Sequence, residues 1–227
     1  MNRPIALTRE RLRVYLVLDL ARAGSRATDL VRQSVAAGVT CIQLRDKRGS
    51  QSEVERVAGA TRDLLRRACV PLIVNDRLDV ALAVDAEGVH VGQTDEPVSL
   101  LCQRATLAGY PGFPVGVSVT TVDEARSALS DGAHHLSVSP VFASSSKPDA
   151  PRAAGLEGVR TLRREFRDTP IVAIGGVSVG NAASVIEAGA DGVAFVSAVT
   201  DSVEPVARIR AIAASVNEGL GKRKYQL

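Results

Sequence analysis

A rhythm of short β-branched runs separated by helical segments constrains this chain more than any other feature of its sequence. Strand candidates fall at Val14–Asp19, Cys41–Arg45, Leu72–Asn75, Gly88–Gly92, Val115–Val119, His135–Val141, Ile171–Gly176 and Gly192–Ala198. Helical periodicity fills the intervals, as in Thr28–Ala37, Glu53–Arg67, Arg77–Val84, Val122–Leu129 and Ser178–Ala188. A repeat of roughly 20–30 residues is what a strand, a crossover helix and a return to a parallel strand require. Gly38, Gly132 and Gly189 each follow a helical run and precede a strand, where a glycine cap is favoured. The phrases around these glycines echo one another, as repeated units do. Eight units in 227 residues favour closure into a (β/α)8 TIM barrel. An open doubly wound sheet would carry a glycine-rich first turn, and none follows Asp19. The expectation is one domain over 1–227, with 1–13 an N-terminal extension and 219–227 a frayed tail.

Composition narrows the class. Small aliphatic residues dominate and tryptophan is absent, which suits parallel strands covered on both faces. A net charge of +3 leaves no nucleic-acid footprint. Arginines such as Arg62, Arg66, Arg163 and Arg164 sit on helical segments, where a solvated outer face accounts for them. The three cysteines are odd in number and lack a C-x-x-C spacing, so a reduced, cytoplasmic chain is expected. Residues 1–13 hold no apolar stretch of signal-peptide length, and no apolar run approaches the ~18 residues that span a membrane.

Barrel chemistry is built at the C-terminal strand ends. The second strand ends in Gln43, Arg45 and Lys47, an amide and two cations that can grip a polyphosphate. A surface pair of Arg45 with Asp46 explains the same residues without a ligand. The third strand ends in Asn75 and Asp76; Asp76 reads either as a metal ligand or as a cap for the next helix. Asp95 lies just past the fourth strand, and two carboxylates at neighbouring strand ends suit Mg2+ with a diphosphate. His90 reads as a packed strand histidine, and His134 and His135 fall at the opposite barrel end. Ser118 is a lone strand hydroxyl. The stretch 143–154 carries Ser144, Ser146 and Lys147, readable as a phosphate grip or a plain serine loop. Gly175-Gly176 and Val196-Ser197 close strands seven and eight, where barrels often hold phosphate on backbone N–H groups. The pattern describes two anionic subsites around one mouth.

These residues resemble a family. Cys41-Ile42-Gln43-Leu44-Arg45-Asp46-Lys47, Val74-Asn75-Asp76-Arg77, Gly88 to Asp95, Pro140-Val141-Phe142 with Lys147, and Ala173-Ile174-Gly175-Gly176-Val177 are similar, in order, to the signatures of thiamine-phosphate synthases. The resemblance implies a transferase joining hydroxymethylpyrimidine diphosphate to a thiazole phosphate or its carboxylate form. Gln43, Arg45, Lys47, Asn75, Ser118 and Lys147 would bind the pyrimidine diphosphate, with Arg45, Lys47, Lys147 and Ser118 acting in catalysis. Asp76 and Asp95 would hold Mg2+. Ser144, Ser146, Gly176, Val196 and Ser197 would bind the thiazole phosphate. The partners implied are these small molecules, with no nucleic acid or membrane, and a homo-oligomer is allowed. The family usually carries threonines where this chain has Ser144 and Ser146, and glycines where it has Ser137 and Ser139. A thiazole tautomerase or a non-catalytic phosphate-ligand sensor are the competing readings, and neither needs both the basic strand end and the carboxylate pair.

Overall fold

The computed structural model describes residues 5–143 and 153–224. Eight parallel strands close on themselves in chain order: β1 (Val14–Asp19), β2 (Cys41–Arg45), β3 (Leu72–Asn75), β4 (Gly88–Val91), β5 (Val115–Val119), β6 (His135–Val138), β7 (Ile171–Ile174) and β8 (Gly192–Phe195). The helices are α1 (Leu20–Ala23), α2 (Ala27–Ala36), α3 (Gln51–Arg67), α4 (Leu78–Ala83), α5 (Val98–Leu107), α6 (Val122–Ser130), α7 (Gly155–Glu165), α8 (Ala182–Glu187), α9 (Ser197–Thr200) and α10 (Pro205–Lys224). No helix among the described residues is long and apolar enough to cross a membrane.

The barrel expectation holds, with shorter strands at four positions. Strand six ends at Val138 rather than Val141, because Pro140 has no N–H to continue a ladder. Strand seven stops at Ile174, ahead of Gly175 and Gly176 with φ of 97° and 63°. Strand eight stops at Phe195 because Ser197 already begins α9, and strand four gives way to a turn at Gly92. Helix starts are encoded locally: Ser50 and Thr121 each form a reciprocal capping box with Glu53 and Glu124. The tail expected to fray from Gly219 is instead helical through Lys224. Arg223 anchors it by donating to the Ala190 carbonyl at 2.9 Å.

Alternation along each strand sorts the side chains. Leu16, Leu18, Leu44 and Leu72 point outward and are buried under the helices, each contributing about 1.5–3 kcal/mol relative to exposure. Tyr15, Val17, Cys41, Ile73, Val172 and Ala194 point inward and meet Leu7 and Leu12 of the N-terminal segment, which plugs that end of the barrel.

The plug leaves no room for a side chain at the start of β8. A Cβ on Gly192 would lie 1.8 Å from the Leu12 carbonyl oxygen. That segment is tied to β8, since Val193 donates its N–H to Arg13 at 3.0 Å. Gly192→Ala is expected to cost about 1–3 kcal/mol of stability by overpacking. Urea unfolding should show a lower midpoint at an unchanged slope. An unchanged midpoint would mean that the N-terminal segment yields freely.

Candidate active site

Inward side chains on β1 to β6 become polar toward their C-terminal ends and line a cavity of about 220 Å³. Gln43, Arg45, Lys47, Asn75, Asp76, Asp95, Ser118 and Val196 all reach it. Val17, Ile174 and Ala194 add apolar lining. Ser197 instead borders a shallower depression with Ser178, Asp201 and Arg208. Gly176 lies in the turn after β7, where its carbonyl accepts from the Asn181 side chain at 3.0 Å. Ser144, Ser146 and Lys147 fall outside the described residues.

Arg45 does not form the surface pair with Asp46. Its guanidinium pairs with Asp19, its register partner on β1, where strand adjacency brings the two together. Asp46 turns back to accept from the N–H groups of Arg48 and Gly49 at 2.9 and 2.8 Å, shaping the loop that carries Lys47. Arg77 clamps that loop by donating to the Gly49 carbonyl at 2.8 Å.

Asp76 does not cap the following helix: the N-cap of α4 is Arg77, with no side-chain cap bond. Asp76 has φ 61°, in the left-handed region where a non-glycine residue is costly. Burial, reinforced by the neighbouring Asp95, raises its carboxyl above the usual range, while Lys47 opposes the shift. Lys47 Nζ lies 3.6 Å from Asp76 Oδ2. Asp95 is held by a tight turn in which its Oδ2 accepts the Gly92 N–H at 2.7 Å. Two crowded carboxylates are a hard-oxygen donor set that fits a divalent cation sharing its remaining positions with phosphate and water. Among the described residues no cluster of three or more metal-type ligands occurs, so the pair alone is available.

His90 is buried, as its reading as a packed residue requires, yet it also lines the cavity. Its Nε2 lies 3.0 Å from Ser118 Oγ. Burial lowers its pKa to about 4, so the ring is neutral at pH 7. Nearby, Gln43 donates to the buried Tyr15 hydroxyl at 2.8 Å, and Gln93 donates to the Ser118 carbonyl at 2.7 Å. Asn75 Nδ2 is buried without a hydrogen-bond partner, a state usually explained by a ligand or water. Ser137 and Ser139 line the cavity, so hydroxyls do enter the space near β6.

The sequence reading missed Asp19 and Arg22, both of which line the cavity. Asp19 ends β1 just as Arg45 ends β2, so the strand-end rule had the means to find it. Arg22 belongs to α1, and its partner Asp201, at 2.7 Å, lies past β8. Only barrel closure could reveal that pair.

Comparison with known proteins follows the same outline. The family described as thiamine monophosphate synthase matches residues 14–199. A thiamine-phosphate synthase of Chloroflexus aurantiacus is 46% identical over 206 residues, covering 90% of this chain and 93% of that protein. One from Moorella thermoacetica is 45% identical over 210 residues, covering 92% and 98%. A solved thiamine phosphate pyrophosphorylase from Pyrococcus furiosus superposes with a TM-score of 0.84 at 34% identity, covering 94% of this chain and 99% of that one.

Proposed function

The chain belongs to the thiamine monophosphate synthase family, a family of transferases, and from that premise we propose the reaction that it performs and the residues that perform it. It joins hydroxymethylpyrimidine diphosphate to a thiazole phosphate, releasing diphosphate. The convergence of Arg45, Lys47, Asp76 and Asp95 on one polar end of the cavity carries this reading.

Arg45 and Lys47 bind the diphosphate, and Asp19 holds the Arg45 fork in place. Gln43, Asn75 and Ser118 orient the pyrimidine, and Asn75 Nδ2 gains the partner it lacks. The bond from the pyrimidine methylene carbon to the diphosphate oxygen breaks, and the electron pair leaves with the diphosphate. Arg45 and Lys47, together with Lys147, stabilise that charge as it develops. Asp76 and Asp95 are suited to holding Mg2+, which when bound supplies positive charge beside the leaving group. Ser144, Ser146, Gly176, Val196 and Ser197 hold the thiazole phosphate. The thiazole nitrogen then donates its lone pair to the methylene carbon, forming the new C–N bond. The apolar lining from Val17, Ile174 and Ala194 disfavours capture by water. Magnesium and a cytoplasmic setting belong to the same proposal.

The test is thiamine phosphate formation from the two phosphorylated substrates, with Mg2+ or with EDTA. Product is expected only with metal, with chelation lowering the rate by about 10²-fold or more. Absence of product under both conditions would overturn the reading. A metal-independent rate would remove Mg2+ from it.

A further inference from the structure

One hydroxyl of β6 faces the cavity unpaired. Ser137 is only 3% exposed and lines the cavity. Its Oγ has no hydrogen-bond partner among the described residues. Buried polar side chains are nearly always paired, so a free hydroxyl turned toward a cavity points to a ligand or water. Its neighbours explain why the protein does not satisfy it. In register on β5 lies Ser118, whose Oγ is already met by His90 Nε2 at 3.0 Å. In register on β7 lies Val172, which has no polar side-chain atom. The main chain of β6 is occupied on both sides by the parallel ladders to β5 and β7. A second unpaired donor, Asn75 Nδ2, ends β3 and lines the same cavity. β3 and β6 stand three strands apart in the closed barrel, so the two donors enter the cavity from different sides.

We propose that Ser137 is a further specificity-determining residue of this site, whose Oγ–H donates to a ring nitrogen of the bound pyrimidine. A pyrimidine carries two ring nitrogens, each an acceptor in the plane of the ring, and a serine hydroxyl has one proton to give. Of the two substrates, the pyrimidine is the one that can take it. The thiazole nitrogen is the nucleophile of the proposed reaction, and a donor bonded to it would tie up the lone pair that forms the new bond. The pyrimidine nitrogens have no such duty. The hydroxyl also selects. Covered by a ring that offers it no acceptor, it would lose its contact with water and gain nothing in return, which disfavours rings lacking that nitrogen. The inference rests on the reading of this cavity as the pyrimidine diphosphate site.

The experiment measures binding as well as turnover, on the full chain and on Ser137→Ala. Calorimetry in the presence of Mg2+ gives Kd for the pyrimidine diphosphate and for two analogues, in which one ring nitrogen and then the other is replaced by CH. Ser137→Ala should weaken the pyrimidine diphosphate about tenfold, the worth of one ordinary hydrogen bond. One analogue should bind the unaltered protein about tenfold more weakly and lose nothing further in Ser137→Ala. That coupling between one side chain and one ring atom is a readout that a merely structural role would not move. KM for the thiazole phosphate should stay the same. Additive losses with both analogues overturn the proposal, as does a raised KM for the thiazole phosphate with pyrimidine binding unchanged. Should the alanine variant not fold, equal affinity of the unaltered protein for the pyrimidine and both analogues overturns it as well. Product formation separates the two readings: coupled binding without any thiamine phosphate would sink the proposed function and leave Ser137 in its place.

Discussion

Asp95→Asn is expected to lower turnover by about 10²–10³-fold, the scale seen when charge stabilisation at a reacting centre is lost. Asparagine is the informative choice because it retains an oxygen to accept the Gly92 N–H, which Asp95 takes at 2.7 Å. The turn survives and only the negative charge goes. The thermal midpoint should therefore match the unaltered protein while kcat collapses and the Mg2+ requirement rises. Near-normal kcat at saturating Mg2+ would remove Asp95 from the metal site. Its neighbour sets the pH dependence of that site. Burial and the Asp95 carboxylate hold Asp76 above the usual carboxylate range. The deprotonated form binds a cation, so affinity for Mg2+ is lost as pH falls through that raised value. The loss should begin at a higher pH than for an ordinary aspartate.

The largest effect on stability is expected at the other end of the barrel. Asp191 is only 2% exposed. It accepts from Arg163 at 2.5 Å and from the Ile171 N–H at 2.9 Å. Arg223 lies 3.4 Å away and Arg9 3.7 Å. One carboxylate thus ties together the N-terminal segment, α7, β7 and α10. Asp191→Ala strands the partly buried Arg163 guanidinium and leaves a strand N–H unpaired, at an expected cost of about 3–5 kcal/mol. Asp191→Asn keeps an acceptor for Ile171 and should cost less. Urea unfolding decides it: a loss below about 1 kcal/mol for the alanine variant, the range of an exposed pair, would mean that the arginines find other partners. The polar cavity proposed as the active site lies at the far end, so kcat measured well below the unfolding midpoint should be little changed.

Much of the candidate site was legible because barrel chemistry collects at strand ends. Gln43, Arg45, Lys47, Asn75, Asp76, Asp95 and Ser118 stand out for that reason, and all line one cavity. The same rule overlooked Asp19, whose meaning depends on which residue of the next strand lies opposite. Local reading also could not choose between cap and site for Asp76. The positive φ at Asp76, with Arg77 at the N-cap position, decides against the cap. His90 was read from its place within a strand, and a strand position is compatible with both packing and lining a cavity.

By itself the sequence determined the parallel barrel, because strand runs, helical periods and glycine caps are short-range patterns written in consecutive residues. It also determined the stock of cations, carboxylates and hydroxyls at the strand ends. Only the tertiary structure decided the pairings: Asp19 with Arg45, Arg22 with Asp201, and three arginines on Asp191. Those contacts join residues distant in the chain. They depend on register and on closure of β8 against β1, a property of the assembled sheet that no local pattern encodes.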